Sequence, residues 1–165
     1  RLTPRGGLAV DAGANIGYMT GLLAARAGAA GRVLAFEPHP VVGARLRENV
    51  AALAARPDTA PVDVHPVALS DADGEATLVM PPDFASNHGV GFLGDATADG
   101  VRVPTRRLDD VVPADRAVAV MKMDVEGHEP AVLRGAAGLL AGKRVTHAAF
   151  EEHGGPDSEA CRLFR

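Results

Sequence analysis

Short apolar runs alternate with amphipathic stretches along most of this chain. The strand-like runs are rich in Val, Ala and Leu, and they lie at residues 8–10, Arg32–Phe36, 62–69, Val118–Met123 and Val145–Phe150. Helical spacing of apolar residues follows three of these runs, over residues 16–27, 40–56 and 130–141, with Gly28, Pro57 and Gly142 at the ends. Such alternation is typical of a mostly parallel sheet covered on both faces. It predicts a doubly wound α/β fold, with residues 1–165 in one domain.

Two further features refine this picture. Short strands predicted at residues 76–80 and 101–104 flank the segment 81–100, which is rich in Gly, Asp, Asn and Pro and has no helical period. A loop of that length is functional or mobile, so we expect it to shape a substrate pocket. In the first helix, an apolar stripe predicts the face that packs on the sheet; it consists of Ile16, Met19, Leu22 and Leu23.

Composition narrows the class of protein. The 165 residues suffice for one core, and with 47% hydrophobic but only 4% aromatic residues that core must be built from Ala, Val and Leu. A net charge of −4 argues against a protein that coats nucleic acid. The single cysteine, Cys161, excludes an internal disulfide and a thiolate metal cluster. No apolar run is long enough for a membrane span and RLTPRGG lacks a signal-peptide core, so we expect a cytoplasmic protein without a membrane partner.

The segment VDAGANIGYMT, residues 10–20, indicates a ligand class. Asp11 ends a buried strand, Gly13 permits a turn with positive φ, and Gly17 would let the backbone approach a ligand closely. A dinucleotide fingerprint has glycine where this chain has Asn15, and Asp11 would face the negative pyrophosphate. S-adenosylmethionine has no phosphate but carries an ammonium, a carboxylate and a sulfonium, which an acid and free loop amides match. The first hypothesis is therefore a methyltransferase.

Glu37 closes the second predicted strand. It lies 24 residues after Gly13, close to the spacing of about 20 at which such folds place an acid on a ribose. Its carboxylate can accept hydrogen bonds from both ribose hydroxyls. The alternative is an ordinary surface glutamate at a strand end; the loop upstream favours the ribose.

The run MKMDVEGHE, residues 121–129, is the second candidate site. If it stays extended, Lys122, Asp124 and Glu126 face the same side, which is costly unless they pair or bind a ligand. A structural alternative is a Lys122–Glu126 ion pair with Asp124 capping the next helix. A metal site of Asp124, Glu126 and His128 is a further alternative, which a second oxygen-rich cluster would have to support. Since ligands of parallel sheets lie beyond the carboxyl ends of the strands, we favour a functional site without a metal.

The histidines fall into two groups. His39, His65 and His147 are predicted to be surface or packed residues. His88 lies in the long loop, and His128 and His153 lie at strand ends, where Glu151 and Glu152 also occur. A histidine there could act as a general base near neutral pH, although a structural role is the simpler interpretation for each.

Six segments in order carry a resemblance that spans residues 8–153. They are VDAGANIGYMT, AFEPHP, VALSD, RRLDDV, MKMDVEGHEPAVLRGA and AFEEH, and with them the chain resembles the FkbM family of S-adenosylmethionine-dependent methyltransferases. The resemblance implies a Rossmann-like class I methyltransferase fold. It also implies a cofactor site with Asp11, Gly13, Asn15 and Gly17 on the methionine part, Glu37 and Pro38 on the ribose, Ala68, Leu69 and Ser70 on the adenine edge, and residues 124–129 beside the methyl group.

The chemistry that the resemblance implies is O-methylation of a hydroxyl on a small molecule or a sugar. Asp124, Glu126 or His128 could be the general base, with Lys122 orienting one of the carboxylates. Two other classes stay open: a module that binds the cofactor without turnover, and a nucleotide-dependent oxidoreductase.

The last segment carries an expectation about the sheet. Methyltransferases of this resemblance usually add two strands, one of them antiparallel, after the strand that corresponds to Val145–Phe150, but only GGPDSEACRLFR follows His153, and its pattern suggests the start of a helix. We therefore expect a chain that is cut short. Its exposed sheet edge at Val145–Phe150 would tend to self-associate.

Overall fold

The computed structural model describes residues 4–80, 91–94, 99–151 and 154–164. The strands are β1 (Leu8–Ala12), β2 (Arg32–Phe36), β3 (Val62–His65), β4 (Ala68–Leu69), β5 (Gly74–Val79), β6 (Phe92–Gly94), β7 (Val101–Arg106), β8 (Val118–Met123) and β9 (Val145–Phe150). The helices are α1 (Tyr18–Ala27), α2 (Pro40–Leu53), α3 (Glu129–Arg134), α4 (Ala137–Ala141) and α5 (Glu159–Phe164), and a single 3-10 turn spans Leu108–Asp110.

Five of the described strands form a parallel sheet in the order β3-β2-β1-β8-β9. All five residues of the central strand β1 are buried, as a strand covered on both faces requires. The two faces are separated by alternation along β1 and β2: Ala9 and Val33 pack under α1, while Val10 and Leu34 belong to the core on the other side. The predicted doubly wound α/β fold is thus confirmed.

Small side chains decide how closely the first helix packs. The prediction that α1 begins at Ile16 is wrong, since the helix begins at Tyr18. Of the predicted apolar stripe, Leu23 is buried, whereas Ile16 and Leu22 are 49% and 47% exposed. The buried face consists of Thr20, Leu23, Ala24 and Ala27. Gly28 ends the helix as predicted, with positive φ and its amide donating to the Ala24 carbonyl.

A second sheet departs from the prediction of one continuous strand over residues 62–69. The chain breaks at Pro66, whose nitrogen has no hydrogen to donate, so β3 joins the parallel sheet and β4 joins another sheet in the order β4-β7-β5-β6. The short strands predicted at 76–80 and 101–104 are present in longer form, and β5 pairs antiparallel with β7. Strand β6 lies within the stretch expected to be a loop; residues 81–90 and 95–98 of that stretch lie outside the described residues.

The helix predicted over residues 130–141 is divided into α3 and α4. At the division a Cβ on Gly135 would lie 1.9 Å from the Ser70 carbonyl oxygen, so the backbones of two segments are in direct contact there. Helix α4 begins next to Asp109, whose carboxylate accepts hydrogen bonds from the Gly138 and Leu139 amides at 2.8 and 2.9 Å.

Strand β9 lies at one edge of the parallel sheet and pairs with β8 alone among the described strands. Self-association through this edge stays a prediction. The helix expected in the last segment is present as α5, which contacts α3 through an Arg134–Glu159 ion pair. Within the described ranges, no helix combines the length and the apolar character that crossing a membrane requires.

Candidate active site

A cavity of about 370 Å³ opens where β1, β2 and β8 end, which is a volume typical of small-molecule sites. One wall is the loop after β1, a second is the segment from Phe36 to His39, and a third is the end of β8 with Lys122, Asp124 and Glu126. The remaining wall is apolar and comes largely from the second sheet; it includes Val67, Ala68, Leu69, Leu78, Met80 and Leu93. The parallel strand ends therefore meet the second sheet around this cavity.

The loop after β1 owes its shape to three residues with positive φ, Gly13, Asn15 and Gly17. A Cβ on Gly13 would lie 2.0 Å from the Asp124 carbonyl oxygen, so the glycine lets the loop pack on the segment after β8. Gly17 does not line the cavity, and a Cβ there would lie 2.7 Å from Leu46 Cδ1. In the structure Gly17 closely approaches α2, and its predicted approach to a ligand stays a prediction.

Asp11 lies behind the cavity wall rather than in it. Its carboxylate is fully buried, accepts a hydrogen bond from Thr20 Oγ1 at 2.6 Å, and lies 3.1 Å from Lys122 Nζ. Lys122 also donates to the Gly13 carbonyl at 2.8 Å. Burial raises the pKa of Asp11, and the Lys122 ammonium opposes that shift. Asp11 and Lys122 thus form a clamp that holds the loop against β8, and the contact of Asp11 with a cofactor stays a prediction.

The structural alternative for residues 121–129, a Lys122–Glu126 ion pair with Asp124 as the helix cap, is wrong. Lys122 pairs with Asp11 and, at 3.8 Å, with Asp124, rather than with Glu126. The extended backbone ends at Met123, and Glu126 has a φ of 52°. At the start of α3 the backbone amide of Val125 donates to Glu129 Oε1 at 3.0 Å, so Asp124 is not the cap.

Glu37 is a buried carboxylate, 8% exposed, on the wall of the cavity. Its Oε2 accepts from the Asn15 amide and its Oε1 from the His39 amide, both at 2.9 Å. Burial raises the pKa of Glu37, and these two amides oppose the shift. Each carboxylate oxygen keeps a further lone-pair site beyond the amide that it accepts.

His128 and Ser70 contact each other outside the cavity. His128 Nε2 lies 3.0 Å from Ser70 Oγ, and neither residue lines the cavity, although both were predicted in the site. Burial lowers the pKa of His128. The candidates His88, Glu152 and His153 lie outside the described residues.

The other histidines are packed or exposed as predicted. His39 is buried, and its Nδ1 accepts from the Val42 amide at the start of α2. His65 stacks on Phe36 with ring centroids 4.7 Å apart, and His147 is exposed on β9. His39 also lines the cavity, which the sequence does not predict, because the residues after Glu37 carry only the pattern of a helix start.

A second cavity, of about 430 Å³, adjoins the first and shares Asp124 and Glu126 with it. Its other acidic residues are Glu129, Glu151 and Glu159. Among the described residues, no group of three or more His, Cys, Asp or Glu side chains is placed to hold a metal ion. Asp124 and Glu126 therefore lie between the two cavities. The first cavity is lined by the loop after β1, and the second is lined largely by carboxylates.

Residues 11–165 match the family described as Methyltransferase FkbM domain. Hexuronic acid methyltransferase AglP of Haloferax volcanii is 33% identical over 152 residues, which cover 89% of this chain and 56% of that protein. Methyltransferase 1 of Beauveria bassiana is 31% identical over 147 residues, 76% of this chain and 57% of that protein. The AMB antimetabolite synthetase AmbE of Pseudomonas aeruginosa is 34% identical over 96 residues, 58% of this chain and 4% of that protein. The chain thus spans little more than half the length of two of these relatives and a small part of the third.

Two solved structures share the fold. The FkbM methyltransferase from Methylobacillus flagellatus superimposes with a TM-score of 0.52 at 20% identity, over 86% of this chain and 31% of that one. A putative rRNA-methylase from Clostridium thermocellum superimposes with a TM-score of 0.50 at 15% identity, over 84% of this chain and 54% of that one.

Proposed function

The chain belongs to the FkbM family of methyltransferases, and on that premise we propose that it transfers a methyl group from S-adenosyl-L-methionine to a hydroxyl of a small molecule or a sugar. The observation that carries this proposal is the cavity at the ends of β1, β2 and β8, with the buried Glu37 carboxylate on one side and Asp124 and Glu126 on the other. A sugar acceptor fits the name of the AglP relative, which acts on a hexuronic acid.

The residues present fit this cofactor. Glu37 is held by two backbone amides and retains acceptor capacity for the ribose hydroxyls. Ala68, Leu69 and Leu78 offer an apolar surface to the purine ring. Gly13, Asn15 and Asp124 border the space for the methionine part, where a carboxylate favours the ammonium and sulfonium charges.

The protein's own contribution is position, exclusion of water and a proton acceptor. When bound, S-adenosylmethionine supplies a methyl carbon whose bond to sulfur breaks as the acceptor oxygen bonds to it, with the electron pair left on sulfur. Asp124 or Glu126 takes the hydroxyl proton, since both border the two cavities, and a positioned base adds about 10² to 10⁴ in rate. Lys122, 3.8 Å from Asp124 Oδ2, orients that carboxylate, and the apolar wall keeps the reacting groups away from water.

The position of His128 bears on the choice of base. Its imidazole contacts Ser70 and borders neither described cavity, whereas Asp124 and Glu126 border both. We therefore assign the base to one of the two carboxylates.

The test is a calorimetric titration with S-adenosylhomocysteine. We expect the wild-type chain to bind it, and Glu37→Ala to bind it about tenfold or more weakly, because two charge-assisted hydrogen bonds to the ribose are lost. Glu48→Ala is the matched control, since its side chain is 64% exposed on α2 and forms an ion pair with Arg45 on the same helix. Unchanged affinity in a folded Glu37→Ala variant contradicts the ribose assignment.

The same titration separates the alternatives. A cofactor-binding module would bind S-adenosylhomocysteine but transfer no methyl group to any hydroxylated metabolite in a screen with labelled cofactor. A nucleotide-dependent oxidoreductase would instead prefer a nicotinamide dinucleotide. Methyl transfer to a hydroxyl acceptor supports the proposal.

A further inference from the structure

Helix α3 is attached at both of its ends to the residues that follow β4. At its start His128 Nε2 lies 3.0 Å from Ser70 Oγ, and at its end Arg134 Nε lies 3.1 Å from Asp71 Oδ2. The backbone after the helix packs on the same strand end, since a Cβ on Gly135 would lie 1.9 Å from the Ser70 carbonyl oxygen. Because β4 supplies part of the apolar wall of the first cavity, α3 is fixed to that wall.

The same helix also holds the opposite wall of the first cavity. Glu129, in its first turn, accepts the Val125 amide at 3.0 Å, and the His128 amide donates to the Val125 carbonyl at 3.2 Å. Val125 lies between Asp124 and Glu126, which line the cavity. One short helix therefore connects the wall proposed for the purine ring with the wall proposed for the methionine part.

Of the two side-chain contacts with β4, the one between His128 and Ser70 is the better shielded from water. Ser70 is 8% exposed and His128 is half-buried. The side chains of Arg134 and Asp71 are 42% and 46% exposed, so solvent screens their attraction and the pair contributes little. The His128–Ser70 hydrogen bond is thus the main side-chain link between α3 and the apolar wall.

The donor in this hydrogen bond is His128. Ser70 Oγ donates its one hydrogen to Asp71 Oδ1 at 3.3 Å. The Arg134 guanidinium lowers the pKa of Asp71, and an ionised carboxylate only accepts. The Ser70 oxygen is left to accept, so His128 Nε2 carries the hydrogen. Burial lowers the pKa of His128, which favours the neutral imidazole.

We propose that His128 and Ser70 are positioning residues, whose hydrogen bond sets the separation between the two walls of the first cavity. This inference rests on the proposed cofactor. S-adenosylhomocysteine would contact both walls at once, with its purine at Ala68 and Leu69 and its homocysteine part near Asp124, whereas adenosine would lack the second contact. Joining two binding groups in one ligand raises affinity only where the geometry lets both bind together. Loss of the hydrogen bond should therefore weaken the whole ligand and spare the fragment.

Two titrations test the inference, calorimetry with S-adenosylhomocysteine and ligand-observed NMR with adenosine. Ser70→Ala removes the acceptor and His128→Leu removes the donor; each should weaken S-adenosylhomocysteine about fivefold or more, as expected for one hydrogen bond, and leave adenosine unchanged. The double variant should bind no more weakly than either single variant, because both remove the same contact. His128→Gln, whose amide can still donate to Ser70, should retain most of the affinity. A general base would not affect binding in this way.

Thr59→Ala is the matched control. It removes a hydroxyl that donates to the Arg56 carbonyl at 2.9 Å, at a residue that does not line the cavity, and it should change neither affinity. The inference is overturned if Ser70→Ala and His128→Leu bind S-adenosylhomocysteine as the wild type does, if adenosine is weakened by the same factor, or if the two losses add in the double variant. If the wild-type chain does not bind S-adenosylhomocysteine, the proposed function itself is refuted, so the two failures are distinguishable.

Discussion

Lys122→Met tests whether the buried lysine serves as a clamp. The substitution keeps the length and volume of the side chain but removes its charge and its hydrogen bond to the Gly13 carbonyl. Asp11 would then remain as a fully buried carboxylate that, among the described residues, keeps only the hydrogen bond from Thr20. Since 13% of the Lys122 side chain and none of the Asp11 side chain is exposed, solvent screens this pair only weakly.

The loss of unfolding free energy that we expect for Lys122→Met is large for a domain of this size. Removing one partner of a buried ion pair costs about 3 to 5 kcal/mol, compared with a total stability of about 5 to 15 kcal/mol. A loss of about 3 kcal/mol, with a urea m-value of about 2 kcal/mol/M, lowers the unfolding midpoint by about 1.5 M. Asp11→Asn combined with Lys122→Met removes both charges, and this double variant should be more stable than Lys122→Met alone.

The loss of stability in Lys122→Met should also depend on pH, in a direction that the pKa of Asp11 determines. Burial raises the pKa of Asp11 above its usual 3.8, and loss of Lys122 raises it further. Between the pKa of Asp11 in the unfolded chain and its higher pKa in the folded chain, the folded state binds more protons than the unfolded state. The free energy of unfolding therefore falls as pH rises through this range. The deficit of Lys122→Met relative to wild type should therefore be greater at pH 7 than at pH 5. Equal urea midpoints, or a deficit independent of pH, would refute the clamp.

Three further predictions concern the cavity. Asp124→Asn changes a side chain that is 52% exposed, so melting should be unchanged while kcat on a screened acceptor falls about 10²-fold or more; intact turnover contradicts a role in chemistry. Gly13→Ala places a Cβ 2.0 Å from a carbonyl oxygen at a φ of +71°, so both Tm and S-adenosylhomocysteine affinity should fall, whereas Gly21→Ala, with open space around it, should not lower either. Because burial raises the pKa of Glu37 above 4.5, S-adenosylhomocysteine affinity measured by calorimetry should fall as pH decreases through that raised pKa, and Glu37→Gln should flatten the profile.

The sequence predicted those parts of the fold that depend on apolar runs within one element. Strands β1, β2 and β8 were predicted because each is a short, mostly buried apolar run. Leu23 on the buried face of α1 was predicted, but Ala24 and Ala27, which let the helix approach Ala9, were missed because alanine contributes less to an apolar pattern than the exposed Ile16 and Leu22 do. Hydrophobicity alone does not register how closely two backbones pack.

The cavity wall that the second sheet forms could not be predicted from any single segment of the sequence. Leu78 and Leu93 reach the cavity because β5 and β6 pair with each other and β4 with β7, and those registers join segments far apart in the sequence. Glu37 was predicted from its spacing, but its two amide partners depend on the fold of the β1 loop. Residue type and position along a strand thus identified candidate groups, whereas their partners required the tertiary structure.

The two motifs that were interpreted separately form one structural unit. In the pairing of β1 with β8, Asp11 lies opposite Lys122, and neighbouring side chains at paired positions lie on the same face of the sheet. The Asp124 amide then donates to the Ala12 carbonyl, and Gly13 packs against the Asp124 backbone. A change in either motif must therefore move the other. Asp11 and Lys122 therefore hold the two motifs together, and we propose that a ligand contacts Glu37, Asp124 and Glu126, which line the cavity.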